Sequence, residues 1–103
     1  MALQCQTLSF SVSADQAYSG NQTAIFQCNS ITNNKAWVAI QSINVSYDNG
    51  EHNHEASIRK CLPSVQSVNG NQVNVNLNFL YCNEDQNDIM SGTVEVLVLA
   101  DVS

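Results

Sequence analysis

Positive charge is what this sequence has least of. Lys35, Arg59 and Lys60 carry all of it against nine acids, giving a formal net charge of -6 over 103 residues. Three cations cannot build a basic patch, so the composition excludes nucleic acid as a partner, and with it attraction to an anionic membrane surface. Charged residues of both signs make up only 12% of the chain, about half the usual share of roughly 25%. No apolar run approaches membrane-spanning length, the longest being residues 96–100, so no membrane insertion is expected. Residues 1–12 hold neither a positive n-region nor a continuous apolar stretch, so no secretion signal is read there. The expectation is a cytoplasmic protein, or one released by a non-classical route. Helical periodicity is missing too: nowhere does an apolar 3.6-residue repeat persist for three turns.

The cysteines are few and widely spaced. Cys5, Cys28, Cys61 and Cys82 form no CxxC pair, which excludes a zinc ribbon or a thioredoxin-like motif. Four free thiols and three disulfide pairings remain open. The length fits one domain with a modest core.

Alternation is what is present. Leu8, Phe10 and Val12 are separated by Ser9 and Ser11, the period of a strand with one covered face. Between positions 36 and 47, Ala36, Val38 and Ile40 alternate in one phase and Ile43, Val45 and Tyr47 in the other. The change of phase near Gln41-Ser42 predicts a β-bulge or a bend. The clearest segment is 73–81, with Val73, Val75, Leu77, Phe79 and Tyr81 on one face and Asn74, Asn76, Asn78 and Leu80 on the other. Asn forms strands poorly, so three of them on one face are carried by packing opposite, or kept for contact with a partner or ligand. Asn69-Gly70 marks a hairpin turn. Gly20-Asn21 reads as a turn inside a loop, Leu62-Pro63 as an interruption, and 51–60 as an uncertain edge strand. The last strand, 92–101, is apolar on both faces around 94–100. It is expected to be central, or covered on its second side by another subunit. Together these features predict an all-β fold, a small antiparallel β-sandwich of about six to eight short strands.

Few constellations carry chemistry. Asp48, Glu51, His52, His54 and Glu55 cluster around a turn. Two histidines two apart without a third spaced ligand do not make a metal motif, and the acidic stretch 83–88 lacks the helix–loop–helix calcium pattern. No metal and no cofactor is assigned. No Gly-rich phosphate loop or nucleophile elbow is present, and the carboxylates sit in short polar turns rather than flanking a cleft. No catalytic residue is assigned and the chain is read as a non-enzyme. Asn, Gln, Ser and Thr supply the polarity that charge does not, and such a surface suits neutral, hydroxyl-rich ligands. His54 and Arg59 are candidates to hold one, since a guanidinium offers five directed donors.

Four pieces carry a family resemblance: Ile43-Asn44-Val45-Ser46-Tyr47-Asp48, then Arg59, then the run 68–75 (VNGNQVNV), then the run 92–100 (GTVEVLVLA). In these, residues 40–100 resemble the H-type lectin domain. That resemblance implies a six-stranded antiparallel sandwich that binds sugars such as N-acetylgalactosamine, as a trimer. It points first to Asp48 and then to Arg59 as ligand-binding positions. The tryptophan of that family near the end of the penultimate strand is absent, and Tyr81 stands nearby. The expected site is therefore Asp48, His54, Arg59 and Tyr81. The expected partners are neutral sugars or glycans, with a homo-oligomer. The alternative is a structural or protein-interaction sandwich that self-assembles.

Overall fold

The run from Val73 to Phe79 sets the architecture. Val73, Val75 and Leu77 have no exposed surface and Phe79 has 1%, so the period-2 alternation buries one whole face of its strand. The computed structural model describes residues 2–14, 17–47, 56–83 and 90–102, with backbone alone at 14, 46, 47, 56–59, 81–83 and 90. The described residues form six strands: β1 (Ala2–Ala14), β2 (Ala17–Ile25), β3 (Ile31–Tyr47), β4 (Ala56–Asn69), β5 (Gln72–Asn83) and β6 (Met90–Val102). They make two three-stranded antiparallel sheets, ordered β1-β6-β3 and β2-β5-β4. The expected antiparallel β-sandwich is thus the fold, but its strands are long rather than short. They run much of a 51 × 17 × 15 Å body whose radius of gyration is 15.9 Å, against about 13 Å for a compact chain of this length.

The core lies between the sheets. β6 contributes Val94, Val96, Val98 and Ala100, all fully buried, and β1 contributes Leu8, Phe10 and Val12. Opposite them stand the β5 row and Ala24 of β2. Each fully buried Val, Leu or Phe contributes roughly 1.5–3 kcal/mol. The segment 26–30 closes one end: buried Phe26 and Ile31 flank it, and it clasps the β4–β5 turn. The Phe26 amide donates to Asn71 O at 2.9 Å, Ile31 N to Gly70 O at 2.9 Å, and Asn71 Nδ2 to Phe26 O at 3.0 Å. That turn has Gly70 and Asn71 between the paired Asn69 and Gln72. Gly70, at φ +60°, is the only one of the two with positive φ, which is the two-residue type II′ arrangement.

Irregularity is confined to β3 and β4. Ile40 pairs with Val96 and Ser42 with Glu95, which leaves Gln41 as an extra residue. This is the predicted bulge, and it restores Val45 to the inner face. A larger excursion lies between Ile31 and Ala36, where Asn33 and Asn34 take φ of 54° and 55°, a conformation Asn tolerates. In β4, Arg59 and Gln66 are the extra residues. Two local expectations are corrected. Gly20-Asn21 is not a turn but lies inside β2, paired with Leu77 and Asn76. Pro63 does not interrupt β4, which is an edge strand where a missing N–H breaks no ladder. The uncertain stretch yields a strand from Ala56 on, and 51–55 lies outside the described residues. On the opposite edge β1 and β2 run unbroken. Gln6 Nε2 donates to Ile25 O, and Gln22 Nε2 to Ser9 O at 2.6 Å, so a pair of amides ties β1 to β2 across the sheets.

The cysteines Cys5, Cys28 and Cys61 are free thiols. Two side-chain oxygens, Thr32 Oγ1 and Asp101 Oδ1, are buried without a hydrogen-bond partner.

Gly92 sits on the central strand between Val12 and Val45. Its φ is +152°, and a Cβ there would land on the Asn44 carbonyl and on Val45 Cα, 2.7 Å away. Gly92→Ala is expected to cost roughly 2–5 kcal/mol through strain and backbone displacement. Leu77→Ala is expected to cost a similar amount, about 2–5 kcal/mol, by leaving a cavity. Urea denaturation of both variants checks this. A Gly92→Ala protein as stable as the parent would contradict the close approach of β3 and β6.

Candidate functional site

Burying the odd-numbered residues of β5 forces the even ones outward. Asn74, Asn76 and Asn78 therefore line the middle of the outer face of the β2-β5-β4 sheet, flanked by Thr23, Asn21 and Ser19 of β2 and by Ser67, Ser64 and Leu62 of β4. Neighbouring strands lie about 4.8 Å apart, so these short side chains reach one another. Thr23 Oγ1 donates to Asn74 Oδ1 at 2.7 Å, and Asn74 Nδ2 donates to Ser67 Oγ at 2.7 Å, a chain spanning all three strands. Asn76 Nδ2 donates to Asn21 Oδ1 at 2.9 Å and Gly20 O at 3.2 Å, with Ser19 Oγ at 3.4 Å. These bonds hold the two amides flat on the sheet. They are the means by which a poor strand former is accommodated here.

Asn78 differs. No described residue accepts from or donates to its side chain, so an NH₂ and a carbonyl stand available together. It lines an open depression of about 460 Å³ with Ala17, Tyr18, Ser19, Lys60, Phe79 and Leu80. Tyr18 pairs with buried Phe79 and packs against the core, on the face opposite the Asn78 side chain, so the outward side chains here are Ala17, Ser19, Lys60, Asn78 and Leu80. A Cβ on Gly20 would meet the Tyr18 hydroxyl and ring, with Cζ at 2.7 Å, so the missing side chain is what lets Tyr18 lie along β2.

The four residues expected from sequence fall unevenly. Asp48 and His54 lie outside the described residues, as do His52 and the acidic stretch 84–89. Arg59 and Tyr81 are described in backbone only. Ile58 pairs with Tyr81 and Lys60 with Leu80, which makes Arg59 the extra residue of a bulge opposite the Tyr81–Leu80 peptide. Their chain neighbours, Lys60 and Leu80, line the depression. The structure thus brings Arg59 and Tyr81 to one place beside it. Bulges turn a side chain away from the regular alternation and recur beside functional sites. Sequence reasoning did not single out Lys60 or Ser19, and it named Asn78 only as one of three outward amides. The signal for Asn78 was the outward Asn row, but nothing in the row marks which amide is left without a partner.

Chemically this arrangement can bind. Its described lining holds no carboxylate, so no acid–base pair is built there. Beside Lys60, burial pushes the Cys61 thiol above its ordinary pKa, which lowers its thiolate share, the wrong direction for a nucleophile. Among the described residues no group of three His, Cys, Asp or Glu side chains is placed to hold a metal ion. No protein-family model matches the chain, nor does any curated protein or solved structure.

Gly20→Ala is expected to push the Tyr18 ring out of place and cost about 1–3 kcal/mol. Thermal and urea unfolding of the variant check this. Undiminished stability would mean that Tyr18 does not depend on the space above Gly20.

Proposed function

We propose that the chain is a carbohydrate-binding module without catalytic activity, and that its site is the depression at the Asn78 end of the β2-β5-β4 sheet. The observation that carries this reading is the Asn78 amide, without a partner among the described residues, set between outward Ser19 and Leu62 and near Lys60 and Leu80, at the end of a face of amides and hydroxyls. A neutral sugar needs paired donors and acceptors for its hydroxyls and an apolar surface for its C–H face. An amide supplies the first, and the exposed Leu80 and Leu62 on the same face supply the second. The scarcity of charge favours a ligand that is itself neutral. The resemblance to H-type lectins, which implies six antiparallel strands, supports the same class of ligand.

In this reading Asp48 accepts hydrogen bonds from adjacent sugar hydroxyls, Arg59 or His54 donates, and Tyr81 packs on the ring. The adjacency of the Arg59 and Tyr81 backbones to the depression supports including them. Lys60 adds a second cationic donor.

A glycan array followed by calorimetric titration of the best ligand tests the proposal. Asn78→Ala is expected to lower affinity about three- to tenfold, the loss of one ordinary hydrogen bond at roughly 0.5–1.5 kcal/mol. Asp48→Ala is expected to lower it at least about tenfold, since the lost bond is charge-assisted. Asn74→Ala, whose amide is already bonded on both sides, should change it less than Asn78→Ala. Unchanged affinity in both folded variants would move the site elsewhere. An array with no binding at all would replace this reading by the self-assembling alternative.

A further inference from the structure

The wide excursion in β3 stands opposite a single residue. Ile31 pairs with Val102 and Ala36 with Ala100, so Thr32, Asn33, Asn34 and Lys35 together face Asp101 alone. Val98, Ala100 and Val102 are buried in the core. Alternation therefore turns Asp101 to the outer face of the sheet, next to the row Cys5–Leu99–Trp37. A carboxylate turned outward from a sheet ordinarily sits in water. Asp101 is instead only 4% exposed, and it is the one buried polar or charged residue among those described. Its Oδ1 has no hydrogen-bond partner, and neither has the buried Oγ1 of Thr32. Thr32 and Asp101 are the first residues past the Ile31–Val102 pair on their two strands, so they leave that pair side by side. Lys35, exposed at the far end of the excursion, makes no hydrogen bond to Oδ1.

We propose that Asp101, Thr32 and the two asparagines of the excursion form a binding site for a calcium ion. A buried carboxylate oxygen that no donor reaches is costly, and buried polar groups are ordinarily satisfied. A cation at this place satisfies both orphan oxygens at once. The donor set is all oxygen: one carboxylate, one hydroxyl, and the amide carbonyls of Asn33 and Asn34. Oxygen ligands suit hard cations, whereas imidazole and thiolate suit zinc and copper. The backbone favours calcium over magnesium. Magnesium demands a near-ideal octahedron with short bonds, while calcium accepts more ligands in irregular geometry. An excursion of four residues against one, with Asn33 and Asn34 at φ of 54° and 55°, is irregular in that sense. Asn33 and Asn34 are exposed, so their amides approach from the solvent side and water completes the shell. Only one ligand is charged, and charge count sets affinity, so the site belongs at the weak end, at about 10⁻⁴–10⁻³ M. The net charge of -6 raises the local concentration of cations. A bound water would satisfy the same oxygens, and the test separates the two. The site lies on the sheet opposite Asn78 and does not rest on sugar binding.

Trp37 is the only tryptophan, and it pairs with Leu99, two residues from Asp101 on β6. Chelator-treated protein titrated with Tb³⁺, which stands in for Ca²⁺, should therefore give terbium emission when Trp37 is excited. Added Ca²⁺ should quench that emission with a Kd of about 10⁻⁴–10⁻³ M. Asp101→Asn should weaken Ca²⁺ binding at least about tenfold, since it removes the one charged ligand. Asn34→Gly keeps the left-handed backbone and removes the amide, and should weaken it about threefold. Glu95→Gln, which removes another acid on this face, should leave it unchanged. Thr32→Val keeps the shape and removes the hydroxyl, so it carries the test if Asp101→Asn does not fold. Ca²⁺ at about ten times its Kd should also raise the urea midpoint of the parent and leave that of Asp101→Asn where it was. Absence of terbium emission together with a urea midpoint indifferent to Ca²⁺ would overturn the proposal in favour of bound water. Undiminished Ca²⁺ affinity in folded Asp101→Asn or in Thr32→Val would overturn it as well, as would an equal loss in Glu95→Gln.

Discussion

The register of the two central strands is the constraint on which everything else depends. β5 and β6 are each flanked by two antiparallel partners, and each fills one half of the core with a single column of side chains. Because the period is two, the column that faces inward fixes the column that faces outward. A slip of one residue in β5 would bury Asn74, Asn76 and Asn78 and expose Val73, Val75, Leu77 and Phe79. The core therefore selects the surface: the amide row is where it is because the valine row cannot be anywhere else.

From that constraint the two outer faces diverge. On β5 the outward column is amide, tied sideways to hydroxyls and a further amide on the flanking strands. On β6 it is Leu97 and Leu99, set between Trp37, Ala39, Cys5 and Thr7. One sandwich thus carries a neutral hydrogen-bonding face and an apolar one on opposite sides of a single core. The bulges lie only on the β3–β4 side. There they leave Arg59 as an extra residue between paired Ile58 and Lys60 and return Val45 and Val68 to the inner side.

Much of this was legible in the residues, for physical reasons that also explain the gaps. The β5 alternation, the phase change at Gln41 and the Gly70 turn are local signals, and local signals survive folding. Gly20 reads as a turn because glycine most often serves backbone freedom, whereas here it serves the Tyr18 ring, a contact within the strand that only the folded geometry reveals. Pro63 reads as a breaker because its position at an edge, where its absent N–H breaks no ladder, is a property of the sheet. The same holds for the site. The outward Asn row could be read from alternation. That Asn74 and Asn76 have partners while Asn78 has none among the described residues depends on which strands lie beside β5. Arg59 and Tyr81 could be named singly, but their adjacency is set by pairing between β4 and β5.

The central claim is that ligand recognition belongs to the amide-lined face, at its Asn78 end. The most direct test is a titration of ¹⁵N-labelled protein with the best-scoring glycan, followed by heteronuclear NMR. The account predicts that the side-chain amide of Asn78 and the backbone amides of Ser19, Lys60 and Leu80 shift together. The side-chain amide of Asn74, already bonded on both sides, should shift less. Shifts confined to the Cys5–Leu99–Trp37 row, or none at saturating glycan, would contradict it.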